Sequence, residues 1–394
     1  MKHFSDAAGG LLGQPMFQLL TRVKELEAQG KKITRFEIGD SALGVPPHVI
    51  EATKKALDEQ KTHYVQSQGI PELREAICEL TEKTYGFRPS IDQVMIMPAN
   101  GIIDAVVRCV ANAKEEVILP DPGFPTYGAV LNYTGITGVP YKQYEGKERM
   151  YIDPKEIESR ISPRTRLVIL NSPNNPTGFV ATENEVRDVY DIAKKNDVYL
   201  LSDEVYSKTI YDGAHYSPAV FDECKERTII LHSFSKAYAM SGWRLGYAIG
   251  PVDVIQKMTL LFETIYSCVP PFVQYGGIAA LNEHPEYFEH YWDMLKESRD
   301  LLVKNLNTLP GVSCLVPAGA IYAFANIMKT GLTSQRFATL MLEQANVSLL
   351  PGTNFGKNGE GYVRLCYART LETIQEGCDK MKAIITDGSI YETI

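Results

Sequence analysis

Apolar residues recur along this chain in two rhythms that alternate. Val106, Cys109, Val110 and Ala113 fall at i, i+3, i+4 and i+7, the spacing of one helix face, and predict a helix from about residue 102. Val186, Val189, Tyr190 and Ala193 repeat that spacing after Thr182, which has Glu185 three positions on. A hydroxyl followed at that distance by glutamate is a capping box, and it predicts that a helix starts there. Between the helical stretches lie short runs that are apolar on both faces, over 94–98, 116–120, 166–171, 198–203, 228–233 and 245–250. Strands of that texture, separated by helices, predict a largely parallel sheet covered on both sides, an α/β fold.

From about His284 the texture changes. A charged amphipathic helix over 287–309 leads into strand-like runs at 312–316, 320–327, 347–351 and 362–368, with helices between. The expected division is a large domain over 46–283 and a smaller α+β domain made of 1–45 and 284–394. The 394 residues are long enough for two such bodies.

Composition narrows the function classes. Hydrophobic residues make up 44% and charged ones 22%, which argues for a packed globular chain. With 40 basic against 48 acidic residues the net charge is −8, and no Lys/Arg run stands out; neither nucleic acid nor an anionic membrane is an expected partner. No stretch of about 18 apolar residues suggests a membrane span. The opening MKHFSDAAGG lacks the apolar core of a signal peptide, so the expected address is the cytoplasm. Seven cysteines, an odd number with no CxxC pair, read as buried free thiols, and no metal site is expected.

The chemistry concentrates where strands end. In the stretch 233–246, Lys236 stands just past a predicted strand, flanked by Ser233 and Ser235, with Arg244 eight residues on. Open α/β sheets bind ligands at the carboxyl ends of their strands. A lysine with a lowered pKa there can form a Schiff base with an aldehyde, while two hydroxyls and a guanidinium suit a phosphate. A lone lysine in a serine-rich loop would read as a surface residue; the complete spacing favours the chemical reading. Asp203 closes another apolar strand, ahead of Tyr206. Asn175 sits in an Asn-Pro turn, which could equally be only a turn. Gly101, Ile102 and Ile103 open the first helix, whose free amides favour a phosphate. Arg364 interrupts an apolar strand, where an unpaired charge is costly unless it meets a carboxylate or an ion-pair partner.

The segment around Lys236 resembles the lysine signature of the class I/II aminotransferases, pyridoxal-5′-phosphate (PLP) enzymes of fold type I. Ser233, Lys236, Arg244, Leu245 and Gly246 conform to it, and further motifs follow in order from about residue 38 to 367. The resemblance implies that 46–283 is the PLP-binding domain and that Lys236 carries the cofactor as an aldimine. It implies that Asp203 keeps the pyridine nitrogen protonated, and that Asn175 and Tyr206 bond the ring oxygen. Phe124 would stack on the ring. Gly101, Ile102 and Ile103, with Ser233, Ser235 and Arg244, would hold the phosphate, through backbone groups more than in relatives that carry Ser or Thr at the glycine turn. Arg364, Asn175 and Gly39 would meet the substrate's α-carboxylate. Tyr64, before the stretch 69–76, would reach the phosphate of a neighbouring subunit, which implies a homodimer with shared active sites.

The implied activity moves the amino group of an L-amino acid to a 2-oxo acid through pyridoxamine phosphate, with Lys236 shuttling the Cα proton. Aspartate-type relatives often carry a lysine in the glycine turn where this chain has Ile103, which disfavours a strict aspartate enzyme. The same scaffold also runs C–S lyase (β-elimination), cyclopropane-forming and amino-acid-oxidising chemistry, which these residues barely distinguish. A transcription regulator with such a domain as ligand sensor would need a DNA-binding unit before residue 38 and is disfavoured by the acidic charge.

Overall fold

Local signals start most of the elements. In a computed structural model of the chain, which describes residues 3–11, 13–41, 43–282 and 285–386, the helix Glu183–Lys195 begins at a complete capping box between Thr182 and Glu185. The first predicted helix is Ala99–Val110, three residues earlier than expected because Pro98 takes the cap position and already has the φ that a helix start needs.

Eight strands form one sheet in the spatial order Val94–Ile96, Gly246–Ile249, Thr228–Ser233, Tyr199–Asp203, Thr165–Asn171, Glu116–Asp121, Thr137–Glu145 and Met150–Ile152. The five strands from Thr228–Ser233 to Thr137–Glu145 pair in parallel. Both edges are antiparallel, so the sheet is mixed, with the expected largely parallel centre. The last two strands, Thr137–Glu145 and Met150–Ile152, escape a pattern reading because the longer one is mostly solvent-facing. Side chains alternate between faces as the pleat requires. Val117, Leu167, Ile169 and Leu201 join one core cluster, and Ile118, Val168, Leu170 and Leu200 join a second one on the far side. The carboxyl ends at Ile96, Asp121, Asn171, Asp203 and Ser233 consequently share one rim, with Asn171 beside Asp203 and Ser233 beside Gly246.

A separate antiparallel sheet holds Tyr322–Asn326, Tyr362–Cys366 and Leu350–Pro351, under the long helices Pro285–Leu306 and Leu371–Thr386. Leu302, Ala323, Leu365 and Met381 belong to its core. Thr34–Arg35 pairs with Val347–Ser348, which ties the N-terminal segment to this part. The expected strand over 347–351 is therefore two short strands serving different sheets. The expected strand over 312–316 is reduced to a single bridge between Ser313 and Asn326. The boundary expected between 283 and 284 lies outside the described residues.

Candidate active site

The rim of the large sheet opens into a cavity of about 490 Å³. Lys236 enters it from the one-turn helix Phe234–Ala237, which follows directly on Thr228–Ser233 and is capped by Ser233, whose hydroxyl accepts from the Ser235 N–H at 3.1 Å. The Lys236 amine donates to the Gly39 carbonyl. Desolvation pushes its pKa below the usual lysine range, against the pull of the Asp40 carboxylate. A lysine so placed is closer to a neutral nucleophile than one in water.

Asp203 lies on the cavity wall at its own strand end. Its carboxylate accepts from the Tyr127 hydroxyl and from the Val205 N–H at 3.2 Å. Burial raises its pKa to about 6, although the Tyr127 bond works in the other direction. Tyr206, three residues on, shares a 2.7 Å hydrogen bond with the Tyr322 hydroxyl, and burial pushes its phenol far up, so it remains a hydrogen-bond donor.

Arg364 is fully buried. It lies under Tyr322, with its guanidinium carbon 4.2 Å from that ring's centroid and 4.7 Å from that of Phe355. One terminal nitrogen donates to Asn175 Oδ1 at 2.9 Å and the other to the Glu37 carbonyl at 2.6 Å, while its Nε has no partner. The charge is thus held by neutral acceptors rather than by a protein carboxylate, which leaves it electrostatically open to an anion. Asn175 is itself fixed by its backbone N–H, which donates to Asn171 Oδ1 at 3.1 Å. Gly39 must be glycine, since a Cβ there would overlap the Tyr322 hydroxyl.

The opposite end of the cavity meets the helix Ala99–Val110, which has no side-chain cap. The Ile102 N–H is already committed to the Pro98 carbonyl at 3.1 Å, and Ile102 is completely buried. The amides left over belong to Ala99, Asn100 and Gly101, so the anion-binding end of the helix sits slightly upstream of the expected triplet. Ile103 lines the cavity, as do Phe124, Ser233, Ser235 and Arg244. Phe124 stands edge-on to Tyr127, with ring centroids 5.8 Å apart. Tyr64 is not among these residues. It is 87% exposed and lines a different groove with Ile70 and Tyr275.

Pattern reading missed Tyr322, Tyr127 and Asp40, and also the N-terminal residues Gln14, Met16 and Phe17, which line the cavity. Tyr127 lies one helical turn past Phe124, a spacing that could have suggested it. Nothing local distinguishes Tyr322. A larger cavity of about 630 Å³ adjoins this one and shares Gln14 and Phe124, but its charged lining residues are only Asp121 and Lys357.

A doubly wound sheet with a lysine, an acid and a helix N-terminus gathered at one rim defines a ligand-binding α/β enzyme of the aminotransferase type. The sequence family described as aminotransferase class I and II matches residues 31–381. An aspartate aminotransferase of Pyrococcus horikoshii is 36% identical over 372 residues, covering 92% of this chain and 94% of that one. An aromatic-amino-acid aminotransferase of Thermococcus litoralis is 37% identical over 372 residues, with 91% and 94% covered. Among solved structures, an alanine aminotransferase from Pyrococcus furiosus superposes with a TM-score of 0.92 at 28% identity, over 98% of this chain and all of that one. The chain belongs to the class I and II aminotransferase family, and it is a transaminase.

Proposed function

We propose that this transaminase binds PLP through Lys236 and carries amino groups from an L-amino acid to a 2-oxo acid in two mirrored half-reactions. One observation carries the reading: a desolvated amine, a buried acid and uncapped helix amides open on the same cavity, above an arginine with an unpartnered nitrogen. Those groups fit PLP, which when bound supplies an electrophilic aldehyde and an electron-withdrawing ring.

The residues have distinct tasks. Lys236, its pKa lowered by desolvation, would hold the cofactor through its amine. Its free amine would then be the base that takes the substrate's Cα proton and delivers it to the cofactor's former aldehyde carbon. Asp203, oriented by Tyr127, holds a proton on the ring nitrogen. Tyr206 and Asn175 bond the ring oxygen, and Tyr322 keeps the Tyr206 hydroxyl in place. Phe124 packs on the ring. Ser233, Ser235, Arg244 and the Gly101 end of the helix hold the phosphate, with Ile102 and Ile103 supporting that turn. Arg364, Asn175 and the Gly39 backbone receive the α-carboxylate, so the reacting Cα–H bond is oriented by binding.

We further place the protein in the cytoplasm as a homodimer in which Tyr64 reaches the neighbouring subunit's phosphate. Seven free thiols suit a reducing compartment, and among the described residues no helix is long and apolar enough to cross a membrane. An exposed Tyr64 remote from its own chain's cavity suits a shared site. The division into 46–283 and 1–45 with 284–394 would make the cavity a cleft between two bodies. Borohydride reduction of the cofactor-loaded protein tests the central claim: the adduct should map to Lys236, and Lys236→Ala should abolish turnover. Full transamination by that variant would refute the assignment.

A further inference from the structure

Resting on the transaminase reading of this cavity, we propose that its preferred substrates have apolar or aromatic side chains and no second carboxylate. The charged residues on the cavity wall are Asp40, Asp203, Lys236 and Arg244. Lys236 and Arg244 are both engaged, one with the cofactor aldehyde and the other with its phosphate, and Arg364 serves the α-carboxylate. The other nearby cation, Arg369, spends its guanidinium on the carbonyls of Arg35, Ile38, Asp40 and Ala368, at 2.7–2.9 Å. Within one protomer, no cation is therefore left, among the described residues around the cavity, for a side-chain carboxylate. The group that does remain is Asp40. Among the described residues only one of its oxygens accepts a hydrogen bond, from the Ser41 N–H at 3.0 Å, and its negative charge would repel a dicarboxylate.

The uncharged part of the wall includes an apolar set beside its amides and hydroxyls. Met16, Phe17, Ile38, Ile103 and Phe124 reach the cavity. Phe17, 58% exposed, borders the cavity and leaves its ring free to meet an apolar side chain. A carboxylate buried here would lose its hydration with no uncommitted cation of the same protomer to offset it, whereas a phenyl or branched alkyl group would lose only water.

Two readouts test this on the cofactor-loaded protein. Calorimetry with inert substrate mimics should give 3-phenylpropionate an affinity at least tenfold higher than maleate, and Phe17→Ala should narrow that ratio by threefold or more. Steady-state kinetics should give phenylalanine and leucine a kcat/KM at least tenfold above aspartate and glutamate, and Ile103→Lys, if it folds, should shift the ratio toward aspartate. Tighter maleate binding, or faster aspartate turnover, by the unaltered protein would overturn the proposal while leaving the transaminase reading intact. Failure to turn over any amino acid would overturn that reading, and the two mimics would still decide the character of the cavity.

Discussion

Asp203→Asn exchanges a buried carboxylate for an amide of nearly the same shape. In the cofactor-free fold the carboxylate has, among the described residues, only the Tyr127 hydroxyl and the Val205 N–H as donors, and desolvation lifts its pKa from an ordinary 3.8 to about 6. At 1.36 kcal/mol per pH unit, that displacement corresponds to about 3 kcal/mol. A raised folded-state pKa gives stability that is complete below 3.8 and is lost as the pH rises through about 6. The Asn variant lacks this term. Without cofactor it should gain on the native protein by about 3 kcal/mol between pH 4 and pH 8, measured as the change in urea-unfolding free energy at fixed protein concentration. With cofactor the order should reverse, because the amide cannot keep a proton on the ring nitrogen. We expect kcat to fall by about a hundredfold or more, roughly 2.7 kcal/mol in barrier. A cofactor-free variant whose stability changes between pH 4 and pH 8 by the same amount as the native protein's would show that Asp203 is well solvated or well paired, and the reasoning would be wrong.

Gly39→Ala should push Tyr322 away and break its bond to Tyr206; a drop in kcat of tenfold or more, with the fold retained by circular dichroism, is the expected result. His232 is held neutral, its pKa lowered to about 4 chiefly by burial. The unfolded chain takes a proton below about 6.5 that the fold refuses, so stability should fall by up to about 3 kcal/mol as the pH drops from 6.5 toward 4, and His232→Gln should flatten that slope in urea melts. Tyr64→Ala and Lys236→Ala should each be nearly inactive, yet random mixing of the two should restore about a quarter of native activity if one intact site forms in each mixed dimer. No recovery after mixing would place Tyr64 outside the neighbouring site.

Elements specified by neighbours in the chain were legible beforehand. The Thr182–Glu185 capping box, the apolar runs ending at Asn171, Asp203 and Ser233, and the spacing from Ser233 to Arg244 each involve a few consecutive residues whose propensities agree. Six of the eight strands in the large sheet belong to that group. The strand Thr137–Glu145 did not, because its pairing depends on a partner and not on its own burial. The stretch 347–351 was read as one strand, since nothing within it reveals that its two halves pair with Thr34–Arg35 and Tyr362–Cys366.

The site divides in the same way. Lys236, Asp203 and Arg364 stand out as charges placed against apolar runs, which is visible in one dimension. What holds them is not. Arg364 meets Asn175 and Glu37 from positions 189 and 327 residues away, and Tyr322 reaches Tyr206 across 116 residues. Such contacts follow from which surfaces bury one another, and a chain commits to that only when its long-range closures occur together and their entropy cost is met by the packed core.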